Sequence, residues 1–316
     1  GTPPVRRTTF VYADDVTAIP IKESHGVDAL YAPRRTVLDP ILAGAAADAG
    51  ATVRYDTTIT GVTRDETGRV NGVEGRTERR PVRHEARWVI GADGVRSLIA
   101  RAVGARFERW GTGATAVVYG YWSDLPLEGY EWIFRPDACA GALPTNHGQT
   151  CVFAGATPAR IGQGRIDTLR RVVAAASPSL AERLAAATAP AGVRTFGGYP
   201  GYMRRPWGAG WALVGDAGHW KDPISAHGLS DALRDSELLA RAIISAADDG
   251  REAAALAEYH RTRDRLSIRM FDVIDRIAGM QWTDAEIPGL LLDLNATMTD
   301  EMDAVTSFDA LSGGRS

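Results

Sequence analysis

Residues 215–232 read Gly215-Asp216-Ala217-Gly218-His219-Trp220-Lys221-Asp222-Pro223-Ile224-Ser225-Ala226-His227-Gly228-Leu229-Ser230-Asp231-Ala232. They follow the apolar run Ala212-Leu213-Val214, which reads as a buried strand. Asp216 thus stands at the C-terminal end of a strand, where ligands gather in open α/β sheets. An ionised carboxylate only accepts hydrogen bonds, so it suits a ligand's hydroxyl groups. About ten residues on, His227-Gly228-Leu229 opens a helix predicted over 229–246, with Leu229, Ala232, Leu233, Leu239, Ala240 and Ile243 in helical period. Its first N–H groups and its dipole favour negative charge. Gly228 lets backbone approach a flat ring closely.

A second strand–Gly–Asp junction lies upstream. Arg87-Trp88-Val89-Ile90 runs into Gly91-Ala92-Asp93-Gly94, and a helix is predicted from Ser97 to Val103. Between the junctions the chain is strand-rich, with runs at 116–122, 131–134 and 150–154, one helix at about 166–187 and a strand at 192–199. Upstream of both, the hairpin 8–13/16–21 turns at Asp14-Asp15, and a helix spans 35–49 up to Gly50. Short strands follow at 52–55, 58–62 and 70–73. Residues 251–311 read as mainly helical, interrupted near Pro288-Gly289.

These motifs resemble those of FAD-dependent monooxygenases of the para-hydroxybenzoate hydroxylase type. Gly215, Asp216, Ala217, His219 and Pro223, then Gly228, Leu229, Ala232 and Asp235, match the second FAD fingerprint, G-D-A-x-H-x-x-x-P followed by G-L-x-x-A-x-x-D. Gly91 to Ser97 matches the G-A-D-G-x-x-S part of the G-A-D-G-x-x-S-x-x-R motif, with Arg101 one residue beyond the motif's arginine; the motif is tied in that family to the FAD pyrophosphate and NAD(P)H. Arg35, Leu38, Asp39 and Leu42 resemble its R-x-x-L-D-x-x-L helix start. The family's opening βαβ unit with G-x-G-x-x-G, about 30 residues, is not found, and the chain reads as starting beyond it.

The resemblance implies an α/β fold: a FAD-binding Rossmann-like layer, its N-terminal βαβ missing, with an inserted β-rich substrate domain and C-terminal helices. The expected segments are 1–34 (substrate-domain strands), 35–103 and 201–247 (FAD-binding), 104–200 (substrate-binding) and 248–316 (helical). It implies cofactor contacts at Arg35, Asp93, Gly94, Asp216, Ala217, Pro223, His227, Gly228 and Leu229. Three of them have a plainer alternative. Asp216 could be a helix cap, Asp93 a turn residue, and Arg34 rather than Arg35 the contact. His219 reads as packed and structural, while His227 is the one catalytic candidate. No metal is expected, since the spaced histidines make no ligand set. No G-x-S-x-G elbow supports a hydrolase.

The implied activity is NADH- or NADPH-dependent hydroxylation of an apolar, aromatic or polyketide-like small molecule. A flavin reductase of isoprenoid double bonds and a flavin halogenase are the nearest rivals, although the W-x-W-x-I-P halogenase signature is absent. A cofactor-free binding protein is the rival of another class. Net charge of −3 and pI near 6.1 give nucleic acid no basic face. Two cysteines and no apolar run near the roughly 20 residues of a membrane span point to the cytoplasm. Of 36 basic residues only Lys22 and Lys221 are lysine, the mark of a GC-rich bacterial genome.

Overall fold

The computed structural model describes residues 1–78, 80–246 and 250–312. Its helices are α1 (Arg35–Asp48), α2 (Leu98–Ala102), α3 (Pro158–Ile161), α4 (Ile166–Ala176), α5 (Pro178–Ala186), α6 (Gly228–Ser245), α7 (Glu252–Ala278) and α8 (Ile287–Ser312). The chain divides into two compact units. The first holds Gly1–Val53, Gly113–Tyr199 and Arg276–Asn295; the second holds Arg54–Thr112, Pro200–Asp275 and the chain from Ala296. The expected boundary at 247/248 lies outside the described residues.

The first unit is built on a seven-stranded sheet, in the order Arg194–Phe196, Ala116–Trp122, Thr150–Ala156, Ala138–Pro144, Tyr130–Arg135, Arg7–Tyr12, Asp15–Pro20. The opening hairpin pairs Tyr12 with Asp15, and Arg7–Tyr12 then runs parallel to Tyr130–Arg135, Phe10 opposite Trp132. Strict alternation along Ala116–Trp122 buries every second side chain. One face presents Val118, Trp122, Ile133, Ala140, Ala142, Val152 and Ala154 to Leu169, Val172 and Val173 of α4 and to Leu180 and Leu184 of α5.

Three predicted elements need correction. The single helix expected over 166–187 is two helices. Ser177 is extended (φ −151°, ψ 99°) because Pro178 disfavours helical backbone in the residue before it, and its Oγ then accepts from Leu180 N at 3.2 Å to cap α5. The strand expected over 192–199 contracts to Arg194–Phe196, an edge strand paired with Ala116–Trp122. Residues 52–55 form no strand. Val53 and Tyr55 are exposed, and no ladder partner lies beside them among the described residues.

In the second unit, an antiparallel meander joins Thr58–Arg64, Val70–Arg76 and Pro81–Glu85. A small sheet joins Trp207–Gly208, Trp211–Leu213 and Val89–Gly91, the last two parallel with Leu213 opposite Gly91. Val214 N extends this pairing to Gly91 O at 3.0 Å. Both strand–Gly–Asp junctions therefore leave the same end of neighbouring parallel strands, although more than a hundred residues of sequence separate them. A further small sheet orders His219–Trp220, Tyr202–Arg204 and Phe107–Trp110. Among the described residues no helix is long and apolar enough to cross a membrane.

Candidate functional site

The loop after Trp211–Leu213 closes into a single 3-10 turn, Gly215–Ala217. Gly215 takes φ +53°, and a Cβ there would come within 3.0 Å of Ala232 Cβ, so glycine is what lets the turn lie against α6. Asp216 is half-buried, and its Oδ1 lies 3.8 Å from where a Cβ on Gly228 would stand. The strand-end carboxylate and the start of α6 therefore meet. The first turn of this 18-residue helix is exposed at Gly228, Leu229 and Ser230, and His227 at the N-cap supplies no side-chain cap. Outward N–H groups beside a carboxylate suit a ligand with both hydroxyls and an anionic edge.

The approach to α6 is also shaped locally. Asp222 Oδ1 accepts from Ile224 N at 3.0 Å, and Pro223 opens the short turn Pro223–Ser225. Ala226 then takes left-handed backbone (φ 53°) before His227, an unfavourable conformation for a residue with a Cβ. Buried Ala217 gives its carbonyl to Arg204 Nη1 at 3.2 Å.

The Asp93 carboxylate is engaged by the residues that start α2. Its Oδ1 accepts from Ser97 Oγ at 2.6 Å, and its Oδ2 from Leu98 N at 2.6 Å and Ile99 N at 3.1 Å. The carboxylate caps α2, with Ser97 Oγ accepting from Ala100 N as a second cap. Gly94 turns the chain at φ +78°. Tyr202, fully buried, ties this loop to the other junction: its hydroxyl lies 3.0 Å from Val95 O and 2.5 Å from Asp216 O. Its ring stacks on Trp110 and meets Phe107 edge-on. The sequence reading passed Tyr202 over, because nothing local marks a contact 107 residues away.

Beneath the start of α6 lies a chain of buried charges. Lys221 Nζ pairs with Asp231 at 2.8 Å; Arg234 pairs with Asp231 at 2.9 Å, Asp235 at 2.7 Å and Glu301 at 2.5 Å. Glu301 Oε2 also meets His227 Nε2 at 2.7 Å. Burial pushes the Glu301 carboxyl up, but the hydrogen bond to His227 and the charge of Arg234 outweigh it and hold it at about 2. Burial lowers Lys221, with Asp231 opposing. His227, Asp231 and Glu301 cluster like metal ligands, yet Lys221 and Arg234 already occupy the carboxylates, so the chemistry is that of ion pairs. His219 is fully buried, and burial followed by the Lys221 charge drives its pKa well down. A neutral, packed imidazole is its state at neutral pH.

In the first unit, Arg35 opens α1 with an exposed pair to Asp39. Arg34, half-buried, donates its backbone N–H to Asn146 Oδ1 at 2.9 Å and Nη1 to Gln149 Oε1 at 2.8 Å, over the ring of Tyr121. Arg34 is committed to its own unit, while Arg35 faces solvent.

Comparison with known proteins now bears on this geometry. The profile of the FAD binding domain family matches residues 2–273. The chain belongs to the FAD binding domain family. Curated relatives include a digeranylgeranylglycerophospholipid reductase of Methanocella arvoryzae, 27% identical over 265 residues, covering 79% of this chain and 64% of the relative. Ubiquinone hydroxylase UbiL of Rhodospirillum rubrum is 27% identical over 212 residues, covering 61% of this chain and 46% of UbiL. The chain thus spans about half to two thirds of the length of these relatives. Among solved structures, the myxobacterial chondrochloren halogenase CndH superposes with TM-score 0.76 at 22% identity, covering 94% of this chain and 75% of CndH. A flavoprotein/dehydrogenase from Cytophaga hutchinsonii gives TM-score 0.74 at 19% identity, covering 88% and 70%. At these identities the superpositions speak for the fold alone.

The residues of the second unit fit the flavin side of that cofactor: a strand-end carboxylate, an exposed and uncapped helix start, and glycine at 228 where any side chain would project beside Asp216.

Proposed function

We propose that this protein is a FAD-dependent monooxygenase that uses NADH or NADPH to hydroxylate an apolar, aromatic or polyketide-like small molecule. The observation that carries the reading is the meeting of Asp216 with the start of α6 at Gly228. Bound FAD would supply electron transfer and oxygen activation, while the chain's residues bind, orient and exclude water. Asp216 accepts hydrogen bonds from ribityl hydroxyls. The N–H groups at Gly228 and Leu229 favour an anionic edge of the ring system, with His227, Ala217 and Pro223 shaping that end. Arg35 offers an exposed guanidinium to phosphate. Asp93 and Gly94 act through the loop they hold, since the Asp93 carboxylate is spent on α2.

A reductase of isoprenoid double bonds is the second reading, favoured by the likeness to the Methanocella reductase. Oxygen uptake separates the two. With FAD bound, a monooxygenase consumes oxygen with NAD(P)H in step with hydroxylated product. A reductase forms saturated product without oxygen. Failure to bind FAD at all would overturn both and favour a cofactor-free binding protein.

A further inference from the structure

The family match ends at residue 273, and α8 lies beyond it. Even so, α8 delivers Glu301 to the residue immediately before Gly228. Glu301 is almost fully buried, and both of its oxygens are engaged: Oε2 with His227 Nε2 at 2.7 Å, Oε1 with Arg234 Nη1 at 2.5 Å. Arg234 is in turn fixed by Asp231 and Asp235, so Glu301 is held against a guanidinium that cannot swing away. The second oxygen reaches past α6 to its N-cap residue.

The geometry points to Glu301 as a positioning residue for the flavin-side end of α6, one that fixes the ring orientation and tautomer of His227. With Glu301 ionised, His227 Nε2 carries the hydrogen and donates it to Oε2, which leaves Nδ1 as the ring's other polar atom. An imidazole that could rotate would present either nitrogen, and it sits at a backbone position strained by left-handed Ala226. Tethering it stops that rotation and pins the turn before Gly228. The His227–Glu301–Arg234–Asp231–Lys221 chain then links α8, α6 and the loop after the Gly215–Ala217 turn into one buried unit. This inference rests on the reading that α6 faces FAD.

The test compares the wild-type protein with E301Q, H227Q and the double variant. Glutamine keeps the volume of Glu301, and Arg234 retains two carboxylates, so E301Q is expected to fold. Three readouts are taken: nitrogen-15 NMR of the His227 ring without FAD, the dissociation constant for FAD, and the visible spectrum of bound flavin. The inference predicts the Nε2–H tautomer in the wild type and its loss of dominance in E301Q. It also predicts a shifted flavin spectrum and FAD binding weakened about tenfold, the scale of a lost hydrogen bond to a charged group. The double variant should bind FAD no worse than the single ones, because both break one interaction. If the wild type binds FAD and E301Q melts lower with unchanged affinity, spectrum and His227 tautomer, Glu301 is merely structural and the inference fails alone. If the wild type does not bind FAD, the proposed function fails and takes this inference with it.

Discussion

Removing one oxygen atom from Tyr202 should loosen both glycine–aspartate junctions at once. In Tyr202→Phe the ring keeps its volume, its stacking on Trp110 and its edge contact with Phe107. Only the hydroxyl between Val95 O and Asp216 O is lost. The carbonyls of half-buried Val95 and Asp216 then share no phenolic donor. Leaving a buried acceptor unpaired costs about 1–3 kcal/mol, and no cavity penalty is added because the ring remains. For domains of 150–250 residues each kcal/mol moves Tm by about 2–4 °C, so the expected fall is several degrees. Thermal unfolding followed by circular dichroism gives the stability, and FAD titration of the same samples gives the affinity. Affinity should fall too, because the Asp216 carbonyl belongs to the turn that carries the proposed ribityl ligand. A Tyr202→Phe protein with the melting curve and FAD affinity of the wild type would refute the claim that this hydroxyl couples the junctions.

Other changes separate ligand contacts from structural ones. Arg35→Ala should leave stability within about 0.5 kcal/mol, since an exposed i,i+4 pair is worth little, yet weaken FAD binding in an equilibrium titration; unchanged affinity would remove Arg35 from the site. Asp93→Ala should lower stability by about 1 kcal/mol through loss of the α2 cap, measured by urea unfolding, and a neutral result would discount the cap. In acid, Glu301 has its folded pKa depressed from 4.5 to about 2. The stability it contributes is complete above pH 4.5 and is lost as pH falls toward 2. Melting temperatures should drop across that window, and E301Q should flatten the slope; a slope the same in both proteins would contradict the assignment.

The sequence disclosed most where period and punctuation agreed. The opening hairpin, α6 and the two glycine–aspartate junctions lay within a residue or two of where local pattern placed them, and parallel pairing of Leu213 with Gly91 then brought the junctions together. The strand Ala138–Pro144 escaped notice because Ala-Cys-Ala-Gly-Ala is poor in the β-branched and aromatic residues that mark strands. It is a strand because neighbours pair it on both sides. Pro178 did announce the break between α4 and α5, but the surrounding helical period concealed it. The site's buried charges were less legible still. Asp235 stood out only as a motif position and Arg234 carried no signal, and only the fold brings Glu301 across 67 residues to Arg234. Asp93 shows the opposite case, a residue of a ligand motif whose carboxylate also accepts from Ser97 Oγ and from the first N–H groups of α2.

The most direct test of the central claim is a paired FAD titration of the wild-type protein and Asp216→Ala, read from the visible absorption of the flavin. The account predicts that the wild type takes up FAD with resolved bands shifted from those of free flavin, while Asp216→Ala, still folded by circular dichroism, loses that uptake. Equal uptake by the two proteins, or none by the wild type, would contradict it.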